Sequence, residues 1–279
     1  MSQQTPSQCL GHRTSHQFPE QCWSWQSDLE KQYPVKPTMA LTKLPLSEFQ
    51  RQIRVRQWFP FEAAYSMDIL RSYAQSVEAQ VKTSINEYQA RRNDWEDELT
   101  GLLQSEPHPE EPNFEHAGLK GHVKDLEGVF EAYFPSLQRS SALAAIYSSF
   151  ENELNRFCDL VQSAVSSGLR FQDLNGNGIE RARNYLIKVG GFDLTAGESE
   201  WNAITRIREV RNCFVHADGV VKEGDKTITA YTKETTLLTL CGKKLELQDG
   251  FLAEVVTALL RYCEVLARAG SVRFKDGKH

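Results

Sequence analysis

Between positions 61 and 103 the apolar residues Leu70, Tyr73, Val77, Val81, Ile85, Tyr88, Trp95, Leu99 and Leu102 recur mostly three and four residues apart. That period marks one face of an α-helix, and an unbroken helix of this length runs about 60 Å at 1.5 Å per residue. A stripe so narrow cannot enclose a core by itself. It needs a partner helix along most of its length, from the same chain or from a second subunit, and so commits the chain to helix-on-helix packing.

The rest of the sequence extends this pattern. Residues 1–45 are polar and aperiodic and contain Pro6, Pro19, Pro34, Pro37 and Pro45, which reads as a flexible arm. Met39 offers an alternative start, which would make the preceding residues an extension. Residues 46–279 read as one helical domain. The Pro-rich, acidic stretch 105–121 reads as an exposed connector. Helices are expected over 123–133 and over 140–165, the latter with Ile146, Phe150, Leu154, Phe157 and Val161 on one face, and then over 179–188 and 199–216. Residues 219–248 change period: "TITAYT" and "LLTLCGKKLEL" alternate around a turn at Gly242 and Lys243, which predicts a small antiparallel β meander. A last helix covers 252–268 and ends at Gly270. The expected fold class is mainly α, an up-and-down helical bundle with the meander inserted before the last helix.

Charge and cysteine usage narrow the function classes. Lys plus Arg number 32 against 37 for Asp plus Glu, a net charge of −5, so no global field draws the chain to nucleic acid or anionic lipid, and an RNA site must be local. Arg170, Arg181, Arg183, Arg206, Arg208 and Arg211 supply one such concentration, read either as helix faces paired with nearby Glu or as a phosphate-tracking patch. The six cysteines are scattered without metal-binding spacing, which suits reduced thiols and a cytoplasmic location. No apolar run approaches the ~20 residues of a membrane span, so no membrane partner is expected.

Motif searches remove further classes. "DLNGNGIERARN" begins like a calcium loop at Asp173, Asn175, Asn177 and Gly178, but its closing position is Asn184 where a bidentate Glu is required, so it reads as a Gly-rich turn into a helix. No phosphate-binding loop, Ser-His-Asp order or HExxH pattern appears, and no metal or cofactor is expected.

"REVRNCFVHADG", residues 208–219, is the stretch in which catalytic residue types gather. On an ideal helix Asn212 and His216 are neighbours, whereas Arg211 lies about 140° around the axis from His216. The two converge only if a second chain or a bent helix brings them together. A histidine can act as general acid or base, and an arginine fork can stabilise charge on phosphorus. Spacing alone leaves a second reading open, a helix-end histidine satisfying the last carbonyls and the dipole, and Arg273 with His279 is another formal match.

The longer stretch "WNAITRIREVRNCFVHADG" resembles the signature of the HEPN superfamily (higher eukaryotes and prokaryotes nucleotide-binding domains): Arg211, the polar Asn212 directly after it, three further residues, then His216 near a helix end. The resemblance implies a HEPN-like bundle and a metal-independent endoribonuclease. In such enzymes two motifs face a shared cleft in a homodimer, and attack by the RNA 2′-OH leaves a 2′,3′-cyclic phosphate. It implies His216 as the acid/base group, Arg211 as phosphate stabiliser and Asn212 as the residue that orients one of them. Glu151 in "YSSFENELNRF" stands for the carboxylate that family members often add from an earlier helix. Arg181, Arg183, Arg206 and Arg208 are the expected RNA-binding residues. The partners it implies are an RNA substrate, a second copy, and an antitoxin or regulatory protein, in a toxin or effector of prokaryotic stress or phage defence. The competing expectations are a non-catalytic HEPN dimer serving as a sensor or scaffold, and a plain helical interaction protein.

Overall fold

A computed structural model describes residues 46–103 and 113–275. The arm at 1–45, Met39, Cys9, Cys22 and His279 lie outside them. The described chain is mainly helical, with two antiparallel two-stranded hairpins.

Ser47 caps α1 (Glu48–Trp58) in a capping box with Gln50, and a π turn (Phe59–Ala63) carries the chain directly into α2 (Ala64–Leu103). The helix expected from position 61 therefore begins at 48, on the far side of Pro60. Proline removes a backbone donor and clashes with the preceding turn, and the π turn absorbs both: the Ala64 N–H bonds Phe59 O, five residues back. The same solution recurs at Pro135. There α3 (Val123–Glu127), a π turn (Gly128–Tyr133) and α4 (Phe134–Val165) form one continuous helical run, where the sequence predicts two separate helices.

The long helix buries Leu70, Val77, Val81, Tyr88 and Trp95 as expected, but Tyr73 is exposed and Met67 and Ala74 are buried instead. α2 packs on α4 and on the last helix, α8 (Phe251–Arg273), which continues through Gly270. Trp58 stacks on Phe157 at 4.1 Å and its indole N–H donates to Glu153 Oε1 at 2.8 Å, which satisfies one of the few buried carboxylates. A second, smaller apolar cluster of Tyr88, Trp95, Phe114, Leu126 and Phe130 closes the far end of α2. Phe114 comes from a hairpin, β1 (Phe114–His116) with β2 (Leu119–Gly121), where the sequence predicts only an exposed connector.

α5 (Gly178–Lys188) and α6 (Glu198–Ala217) match their predicted spans. The meander does not. Within 219–248 only β3 (Leu238–Cys241) and β4 (Lys244–Leu247) pair, and "TITAYT" belongs to a helix, α7 (Lys226–Glu234). Asp225 caps it by accepting from the Ile228 N–H at 3.0 Å, and Ile228 and Tyr231, three apart, form its inner face. Cys158, Cys213 and Cys263 are buried free thiols and Cys241 is an exposed one. No helix among the described residues is long and apolar enough to cross a membrane.

Candidate functional site

The inner face of α6 is built by Ile204, Ile207, Val210 and Cys213, all buried, with Trp201 and Phe214 half-buried beside them. The helix is stopped by Asp218 and Gly219. Asp218 adopts a left-handed conformation at φ 49° and its N–H bonds Phe214 O, while the Gly219 N–H reaches back to Cys213 O at 3.1 Å. Gly219 has φ +74° and a Cβ there would lie 2.8 Å from the Phe214 ring, so the turn requires glycine. The Val220 N–H takes Ala217 O at 2.8 Å, and the hairpin locks the end from outside: Lys244 Nζ binds Asp218 Oδ2 at 2.7 Å, and the Leu245 N–H donates to Gly219 O at 2.8 Å. The Cys213, Phe214 and Ala217 carbonyls at the end of α6 are thus bonded by backbone. His216, exposed and outside that network, is not their cap.

Arg211 turns the other way. Its Nη1 donates to Asn212 Oδ1 at 3.0 Å, its guanidinium carbon sits 5.8 Å from the Tyr147 ring centre on α4, and its Nε is buried with no hydrogen-bond partner. Tyr147 is fully buried and its hydroxyl is likewise unpartnered. Glu151, one turn further along α4, comes within electrostatic reach of Arg211 and Arg208. Its carboxylate lies where a Cβ on Gly178 would be, 2.6 Å away, so the glycine at the start of α5, at φ +50°, makes room for it. Burial lifts the Glu151 carboxyl above its ordinary value, against the opposing pull of Arg211 and Arg208. Burial, reinforced by Glu151, pushes the Tyr147 phenol up as well.

A carboxyl raised in the folded state favours folding while it is protonated and loses that contribution as pH rises through its folded value. Glu151→Gln should therefore raise the melting temperature at pH 7 and leave it unchanged near pH 4. Thermal denaturation of the two proteins at both pH values checks this, and equal gains at the two would show that the charge is not responsible.

The other arginines are engaged inside the chain. Arg208 bonds Glu180 at 2.6 Å and Glu209 at 3.0 Å, Arg183 pairs with Glu198 over the Trp201 ring, Arg206 pairs with Glu234 over Tyr231, and Arg181 lies over Phe171 at 5.7 Å. They tie α6 to α5 and to α7. Of the expected site residues, the structure thus brings together Arg211, Asn212, Glu151 and Arg208, and it leaves Arg181, Arg183 and Arg206 on separate contacts.

His216 opens on an adjacent cleft of about 200 Å³, lined also by Glu209, Asn212, Cys213, Lys222 and Asp225. Asn212 borders both regions, since its side-chain oxygen holds Arg211 while the residue lines the His216 cleft. Arg211 itself does not line the His216 cleft, and Asn212 stands between the two. Lys222 was not among the expected residues. It sits three residues after Gly219 in a loop, with no periodic signal, and reaches the cleft only because α6 stops sharply and the chain turns back. Among the described residues no group of three or more His, Cys, Asp or Glu is placed to hold a metal ion.

No protein-family model, no curated protein and no solved structure matches this chain.

Proposed function

We propose that the chain is a HEPN-type endoribonuclease that works without a metal ion, as a homodimer in which Arg211 of one subunit serves the His216 cleft of the other. The observation that carries this reading is the state of the α6 terminus. The Cys213, Phe214 and Ala217 carbonyls are bonded by backbone and the His216 ring lines the cleft beside Lys222, while Arg211 and Asn212 are hydrogen-bonded as a unit one turn earlier.

In this reaction His216 accepts the proton of an RNA 2′-OH, and the 2′-oxygen attacks the adjacent phosphorus. The bond from phosphorus to the 5′-oxygen breaks, that oxygen takes a proton from water to leave as a 5′-hydroxyl, and the hydroxide so formed is neutralised by the proton His216 gives back. Arg211 and Lys222 face the charge that develops on the phosphoryl oxygens. The nucleophile belongs to the substrate, so His216 and water carry the proton. The cellular role that fits such an enzyme is an RNA-cleaving effector held in check by a regulatory protein.

A second reading has its own observation. Arg183, Arg206 and Arg208 are held in ion pairs and Arg181 lies over Phe171, so these four do not form an open basic track, which suits a dimeric binding or scaffold module. Incubation of the purified protein with total cellular RNA in EDTA separates the two. The enzyme reading expects fragments ending in 2′,3′-cyclic phosphate that disappear with His216→Ala. Intact RNA in both lanes would leave the binding module, and fragments that persist with His216→Ala would remove the site.

A further inference from the structure

The face of α2 turned away from the core carries large apolar residues at every fourth position: Phe61, Tyr65, Ile69 and Tyr73, exposed by 72, 68, 51 and 41%. The next member of the series, Val77, is 9% exposed. Residues four apart advance about 40° around a helix, so they form an inclined ridge, here winding from open surface into the core. The π turn sets its start. Buried residues step from Trp58 to Ala63 and on to Met67, a stride of five across the turn, which keeps the inner stripe in register and turns Phe61 outward in line with Tyr65.

We infer that this ridge is a dimerisation surface, and that its occupant is the same ridge of a second copy. Ridges of four-residue spacing pack into one another at a crossing angle near −50°, the commonest helix packing in globular proteins. A two-fold axis between Tyr65 and Ile69 pairs Phe61 with Tyr73 of the second copy and Tyr65 with its Ile69, so one ridge complements itself. With about 200 Å² for each fully exposed side chain, the pairing buries roughly 900 Å² from these four positions in two copies, close to the ~1,000 Å² of a specific interface before flanking atoms are added. The charged neighbours argue against other occupants. Glu62 and Arg56 flank the ridge with opposite charges and Asp68 holds Arg71 in an ion pair, so its borders carry mixed charge and not the basic track that RNA or an anionic lipid surface needs.

This inference does not rest on the ribonuclease reading. α2 and α6 both pack on α4 and α8, and none of the four ridge residues lines the His216 cleft. If both faces associate, the wild-type particle is a tetramer.

Sedimentation velocity of the full chain at low micromolar concentration tests it. The wild type should sediment as an even multiple of 31.8 kDa, and Tyr65→Glu/Ile69→Glu should halve that mass, with a dissociation constant raised about 100-fold or more. Both side chains are exposed, so the far-ultraviolet circular dichroism and melting temperature of the double variant should match those of the wild type. Leu119→Glu removes an apolar side chain exposed by 41% in the hairpin at the far end of α2 and should leave the mass unchanged. A monomeric wild type, an undiminished mass in the double variant, or halving by Leu119→Glu as well would each overturn the assignment.

Discussion

Mixing inactive Arg211→Ala protein with inactive His216→Ala protein should restore about a quarter of wild-type RNA cleavage, because half of the randomly reassembled dimers then hold one intact composite site of two. Each variant alone should lose about 10²- to 10³-fold in rate, the scale for removing an acid/base group or a single charge-stabilising donor. The mixing result follows from the proposed composite site. Arg211 is held against Tyr147 and Asn212, and His216 faces the cleft with Lys222, which Arg211 does not line. A dimer in which Arg211 of one subunit serves the His216 cleft of the other therefore predicts complementation. Subunit exchange followed by an RNA cleavage assay reads this directly: no recovery on mixing, with both single variants inactive, would place the two residues in one chain's site.

Arg139→Met should cost about 3–5 kcal/mol, the range for removing one partner of a buried ion pair, and lower the melting temperature by roughly 10 °C or more. Arg139 and Glu78 are each only 11% exposed. The guanidinium contacts both carboxylate oxygens at 2.9 to 3.1 Å, and Nη1 donates to Leu247 O at 3.2 Å. One side chain therefore joins α2, α4 and the end of β4. Its removal leaves a charged carboxylate in a mostly buried interface and frees the end of β4, a strand of the hairpin that holds the α6 terminus. Glu78→Leu/Arg139→Met should recover most of the loss, since the penalty lies in the stranded charge more than in the missing pair. Melting curves of the single and double variants decide between that account and one in which the contact to Leu247 dominates.

Periodicity carried much of the helical layout. The stripe along α2, the inner face of α4 and the spans of α5 and α6 are all visible as apolar residues three and four apart, because burial on one face of a helix must repeat with the helix turn. Where the reading failed, a local signal was outvoted. "TITAYT" alternates, yet Asp225 stands as an N-cap before it and Ile228 and Tyr231 are spaced for a helix against Arg206 and Phe251. The predicted spans begin at 61, after Pro60, and break between 133 and 140, around Pro135, whereas two π turns carry the helix past both prolines. The hairpin holding Phe114 and His116 had no periodic signal of its own. It exists because Tyr88, Trp95 and Phe130 offer it an aromatic surface.

By itself the sequence determined that this chain is mainly helical, and that Asn212 and His216 share one side of α6, since both follow from the geometry of a single helix. Only the tertiary structure decided the surroundings of the motif. It brought Glu151 of α4 toward Arg211 across the room left by Gly178, set Lys222 beside His216 by way of a sharp left-handed turn, and left the Phe61 to Tyr73 ridge outside while Val77 went in. These are contacts between residues distant along the chain. They depend on which helix faces which, a choice made by the fit of whole surfaces that no local period records.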